Sequence, residues 1–81
     1  MAKLRILSAR GDSLVVWDPK RADTGDAEAK AAVQEAERIF EEQRARGATA
    51  FRVAPDKPAE RIDDFDPKAN EIIMVPRVAG G

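Results

Sequence analysis

Cysteine and histidine are both missing from this 81-residue chain. Without cysteine there is no disulfide staple, no thiolate nucleophile and no cysteine-bearing zinc site. Without histidine the chain lacks the one side chain that ordinarily changes charge near neutral pH, so the commonest acid–base catalyst is absent. A dominant charge sign is lacking too. Fourteen lysines and arginines stand against fifteen aspartates and glutamates, a formal net charge of −1, which leaves no broad basic footprint of the kind that binds DNA or RNA. Long hydrophobic runs are also missing. Lys3, Arg5 and Arg10 break up the amino-terminal apolar residues, and nothing approaches the roughly 20 apolar residues needed to span a bilayer. Ala2 stands where myristoylation needs a glycine, and no cysteine box closes the chain. The composition therefore predicts a cytoplasmic single domain that is not an enzyme, holds no metal and binds neither nucleic acid nor membrane. Function is left to a surface or a chain end.

What is present is a clear sequence of elements. Lys3–Ala9 (KLRILSA) begins by alternating charged and apolar residues, as a half-buried strand does. Arg10-Gly11-Asp12 supplies a turn, and Leu14-Val15-Val16-Trp17 follows as a second strand that stops at Asp18-Pro19. The two make a hairpin. After a polar connection at 20–26, Ala29, Ala32, Val33, Ala36, Ile39 and Phe40 recur at three- and four-residue spacing, the apolar stripe of a helix. Thr24 or Asp26 would cap its start and Gly47 its end, giving a helix from Asp26 to Arg46 about 30 Å long. Its other face, rich in glutamate and arginine, reads as solvated. Ala48–Val53 is a third strand, with Thr49, Phe51 and Val53 on one face. Residues 54–70, with Pro55, Pro58 and Pro67, read as an ordered loop anchored by Ile62 and Phe65 that contains one turn or a short strand. Glu71–Val75 (EIIMV) is apolar enough for a central strand, and Pro76 ends its ladder.

One helix with a single stripe needs one sheet face to cover. The first and last strands, placed as parallel neighbours, are joined by a crossover through that helix. This predicts an α+β fold of the β-grasp, ubiquitin-like type: a mixed sheet of four to five strands packed on one long helix. The domain would occupy residues 1–75 and a flexible tail residues 76–81. A ferredoxin-like split βαβ is the alternative, but it needs a second good helix, and residues 54–70 carry three prolines and no helical stripe.

The end of the chain carries the sharpest signal. The run from Asn70 through Glu71-Ile72-Ile73-Met74-Val75-Pro76-Arg77-Val78-Ala79 to Gly80-Gly81 resembles the last strand and tail of the ubiquitin-like sulfur carriers. The resemblance extends to the small subunit of molybdopterin synthase, the thiamine-pathway carrier and archaeal ubiquitin-like modifiers. In that family an acidic residue opens an apolar strand, a proline closes it, and Val-x-Gly-Gly ends the chain. The resemblance implies that Gly81 is adenylated at its carboxylate by an E1-like enzyme that consumes ATP, the carrier itself binding no cofactor. Gly80 gives clearance in a narrow nucleotide site, because glycine has no Cβ to clash. Val78 and Ala79 offer an apolar grip and Arg77 a charge contact. Fully extended, Pro76–Gly81 reaches about 20 Å.

Two fates follow from that adenylate: joining to a target lysine, as a protein modifier, or conversion to a thiocarboxylate, as a sulfur carrier. Arg77 stands where the sulfur carriers tend to have a second proline, which favours the modifier. Its implied partners are the adenylating enzyme, E2-like or E3-like conjugating enzymes, a deconjugating metalloprotease and the target proteins. A third reading, from another class, is a binding module that works only through its sheet face.

Other features read as structural. Glu60, Asp63, Asp64 and Asp66 match neither the spacing nor the glycine of a calcium loop, and read as a solvated acidic loop. Arg10-Gly11-Asp12 reads as a hairpin turn rather than an adhesion motif. Trp17 reads as core, with an exposed partner anchor as its alternative. Lys3, Lys20, Lys30, Lys57 and Lys68 read as surface lysines, available as acceptors if chains form.

Overall fold

Two short strands open the computed structural model, which describes residues 1–77. β1 (Ala2–Ile6) and β2 (Ser13–Trp17) form the expected antiparallel hairpin. β1 ends at Ile6 rather than Ala9, and local hydrogen bonds give the reason. The Ser8 N–H donates to Asp12 Oδ1 at 3.4 Å, the Arg10 N–H to Ser8 Oγ at 3.2 Å and the Gly11 N–H to the Ser8 carbonyl at 3.2 Å. Serine and aspartate thus hold the backbone in a turn that competes with the ladder. Gly11, at φ +119°, takes the left-handed conformation the turn requires.

The helix expected from Asp26 to Arg46 is present over Ala27–Ala45, and a second, short helix that was not expected precedes it. The polar connection after Trp17 contains a five-residue helix, α1 (Pro19–Asp23). Asp18 caps it by accepting from the Lys20 and Arg21 N–H groups, and Pro19 sits in its first turn, where a missing N–H costs nothing. The main helix, α2 (Ala27–Ala45), has 19 residues. Asp26 is its N-cap, accepting from the Ala29 N–H at 2.9 Å and from Arg21 Nη2 at 2.6 Å. Those two contacts hold the Asp26 carboxyl below the usual carboxylate range. Thr24, the other capping candidate, closes α1 instead, its Oγ1 donating to the Arg21 carbonyl. Gly47 follows the C-cap Arg46 at φ +94°; its N–H donates to the Arg44 carbonyl, and the Ala48 N–H to that of Gln43. The α2 stripe faces inward as expected. Ala29, Ala36 and Phe40 are buried, while Ala32, Val33 and Ile39 pack at the margin of the core.

The remaining strands are β3 (Thr49–Val53), β4 (Glu60–Ile62) and β5 (Glu71–Val75). The five form one mixed sheet in the order β2-β1-β5-β3-β4. β5 is central: it runs parallel to β1, with Leu4 beside Ile72, and antiparallel to β3, with Ala50 beside Met74. This is the neighbour relation expected of the first and last strands. Ala2, Leu4, Ala50, Ile72 and Met74 are buried on the helix-covered face. Trp17 joins them, with 1% of its surface exposed, so it is a core residue. Its ring lies 5.6 Å from Phe65, whose ring lies 5.7 Å from Phe40. Residues 54–70 are thereby pinned beneath the sheet by an aromatic chain. Among the described residues no polar or charged side chain is fully buried, and no helix is long and apolar enough to cross a membrane.

Candidate functional site

With an apolar interior, any chemistry must sit on the outside, and the sheet arranges two such regions. The first is the face turned away from α2. Strand alternation puts Lys3 and Arg5 of β1, Leu14 and Val16 of β2, and Glu71, Ile73 and Val75 of β5 on it. The register lines them up. One row crosses all five strands as Leu14, Arg5, Ile73, Phe51 and Arg61; a second runs Val16, Lys3, Glu71 and Val53. Leu14 is 51% exposed and Val16 42%, against half-burial for Ile73 and Phe51. Arg5 bridges the rows, its Nε 3.1 Å from Glu71 and its Nη1 3.5 Å from Asp12. The Arg10-Gly11-Asp12 turn is therefore tied to the sheet through its aspartate.

The second region is the end of β5. Val75 pairs with Thr49, and the ladder stops there because Pro76 has no N–H to give. Pro76 and Arg77 are exposed. Beside them an open groove of about 570 Å³ is lined by Ile6, Leu7, Ser8, Ala9, Val75 and Pro76. Of the expected tail residues, the structure describes Arg77; Val78, Ala79, Gly80 and Gly81 lie outside the described residues. Arg77 lays its aliphatic stem over Gly47. A Cβ built on Gly47 would come within 3.2 Å of Arg77 Cδ and 3.6 Å of its Cβ. The glycine that ends α2 is thus also the seat for the first charged residue after β5, a link that 30 positions of sequence separation conceal.

Gly47 makes a direct prediction. An L-residue at φ +94° is strained by about 1–2 kcal/mol, and the added methyl must also displace Arg77. Gly47→Ala is expected to lower stability by about 1–2 kcal/mol in urea unfolding followed by circular dichroism. Adding Arg77→Ala should recover only a small part, because a flexible side chain moves aside while the backbone strain stays. Full recovery in the double variant would put the cost in the contact.

Three of the four acidic residues of 60–66, Glu60, Asp63 and Asp66, are held by arginines. Arg52 holds Glu60 at 2.7 Å and Asp66 at 2.8 Å, and Arg44 holds Asp63 at 3.2 Å. Burial pushes the Asp66 carboxyl up, but its hydrogen bonds from Arg52 and the Lys68 N–H outweigh this and leave it below the usual range. Among the described residues no three carboxylates converge as a metal site would require. Lys20, Lys30, Lys57 and Lys68 are exposed, and Lys3 is half-buried on the open sheet face.

The apolar rows of the open face and the Gly47 seat are not legible in the sequence. β2 reads SLVVW, apolar on both faces, so its alternation gives no sign of which residues point outward. Comparison of the chain with known protein families, with characterised proteins and with solved structures finds no match.

Proposed function

We propose that this chain is a ubiquitin-like protein modifier of the β-grasp type, activated at the carboxylate of Gly81. The observation that carries the reading is topological. The strand leading to Gly80-Gly81 is the central one of a β2-β1-β5-β3-β4 sheet, and the chain leaves it exposed at Pro76 and Arg77. A root anchored in mid-sheet gives the residues beyond it a fixed starting point from which to enter another protein.

The chemistry is acyl activation. The Gly81 carboxylate attacks the α-phosphate of ATP in an E1-like enzyme, forming an acyl adenylate and releasing pyrophosphate. A target lysine amine then attacks the acyl carbon, AMP leaves, the amine proton is lost, and an isopeptide bond remains. The chain is the substrate of these steps and carries no catalytic residue; ATP belongs to the activating enzyme. Arg77, Val78 and Ala79 are the segment that enzyme would grip. The open face, with Leu14 and Val16 exposed beside half-buried Ile73 and Phe51, favours a second reading, a binding module that uses the sheet and not the tail.

Mass spectrometry of the protein isolated from its host separates these. Tryptic cleavage after Arg77 leaves a Val-Ala-Gly-Gly remnant on each modified lysine, which is the expected result. A C-terminus in which sulfur replaces one oxygen would instead make the chain a sulfur carrier. If neither species is present, and removal of Gly80-Gly81 leaves every phenotype intact, the tail reading fails and the sheet-face reading stands.

A further inference from the structure

The two edges of the sheet are protected very differently. β4 is short, carries Glu60 and Arg61, and has Pro58 two residues before it. Charge, brevity and proline are the usual means by which an edge strand avoids pairing with another chain. β2, at the opposite edge, has none of them. Its five residues, Ser13–Trp17, contain no charge and no proline. Among the described residues, two of the four large apolar side chains left exposed, Leu14 and Val16, lie on it. No strand among the described residues covers its outer side.

We propose that β2 pairs antiparallel with β2 of a second copy of this chain, joining two five-stranded sheets into one of ten. The occupant is argued from self-complementarity. A two-fold axis through Val15 sets Leu14 of each copy directly across from Val16 of the other, on the same face, so the two exposed apolar residues cover one another. Within the strand nothing charged is brought face to face; one step outside it the same axis sets Asp12 of each copy across from Asp18 of the other. The flanking carboxylates are already engaged, Asp12 by Arg5 and Asp18 by the N–H groups that open α1. Each backbone ladder left open at one edge is completed by the other. Because the pairing is antiparallel, the two β5 ends, and the Gly47 seats beside them, fall at opposite ends of the joint sheet. Both stay clear of the interface. This inference is independent of the reading of the tail.

Sedimentation equilibrium of the full chain from about 10 μM to about 1 mM tests it, over the range where short interfaces associate. The expected result is a reversible monomer–dimer equilibrium, with amide exchange across Ser13–Trp17 slowing as concentration rises. Val16→Lys puts a charge into the bare edge without touching the core, and is expected to weaken the dimer by about tenfold or more. Val75→Lys, on the same face but two strands inward, is expected to leave association unchanged. Thermal melts of both variants establish that each is folded. A monomer throughout the range overturns the proposal. So does a dimer that survives Val16→Lys, or one that Val75→Lys disrupts instead, since faces rather than edges would then be in contact.

Discussion

Trp17→Ala is expected to cost about 3–5 kcal/mol, the range for removing a buried large aromatic. Few single substitutions would do more, because domains of this size commonly hold only about 5–15 kcal/mol in all. Trp17 is the widest side chain in the core and does three things there. It fills space under the hairpin beside α2, with 1% of its surface exposed. It contacts Phe65 at 5.6 Å, and Phe65 carries the contact on to Phe40 of α2 at 5.7 Å. Its Nε1–H donates to the Pro67 carbonyl at 2.8 Å. Truncation therefore leaves a cavity where β2, α2 and the 54–70 segment meet, and strands the Pro67 carbonyl. The loss should appear as a fall in the urea midpoint followed by circular dichroism, since the sole tryptophan fluorophore goes with the substitution. Trp17→Phe separates the contributions. It keeps most of the ring contact and gives up the hydrogen bond, and should cost about 1–3 kcal/mol. A loss under about 1 kcal/mol for Trp17→Ala would mean that the aromatic chain does not hold the segment.

The same residue shows where the sequence could be read and where it could not. The stripe Ala29, Ala36 and Phe40 repeats at helical spacing, so its burial follows from periodicity alone. Asp26 and Gly47 have the chemistry of caps and act as caps. Glu71–Val75 has strand bounds set on both sides, by polar residues before it and Pro76 after it. α1 is not legible because five residues hold too little of a period to show one. Its signal is present in Asp18-Pro19, but a cap followed by a first-turn proline looks in sequence the same as the end of a strand. β1 stopped early because the Ser8 and Asp12 side chains bond to the backbone at short range, a competition that apolar patterning does not register. The acidic residues of 60–66 could be counted but not partnered. Arg44 and Arg52 reach three of them across gaps of 8 to 19 positions, which only the folded sheet closes.

For the candidate site the division is sharper. Gly80-Gly81 is visible as a motif, whereas the Gly47 seat and the two rows of the open face exist only through strand register. That difference determines how the tail should be tested, because variants at the seat disturb fold and tail together. Removing Gly81 does not. The central strand ends at Val75 and the core lies behind it, so the melting temperature is expected to stay unchanged. The carboxylate, however, is withdrawn by about 3.5 Å, one extended residue. A reacting atom misplaced by even about 1 Å can cost a hundredfold in rate, so under the proposed function activation should fall by about a hundredfold or more. The measurement is ATP–pyrophosphate exchange with the adenylating activity of the host lysate, comparing full-length and shortened chains at equal concentration. Gly80→Val keeps the reach and adds bulk next to the reacting carboxylate. Its exchange should fall chiefly through KM if the nucleotide site is as narrow as the glycines imply. Trp17→Ala provides the contrast, losing stability and exchange together. A shortened chain that exchanges as fast as the full one would refute activation at Gly81. Gly80→Val exchanging normally while the shortened chain fails would place the requirement in tail length and not in glycine.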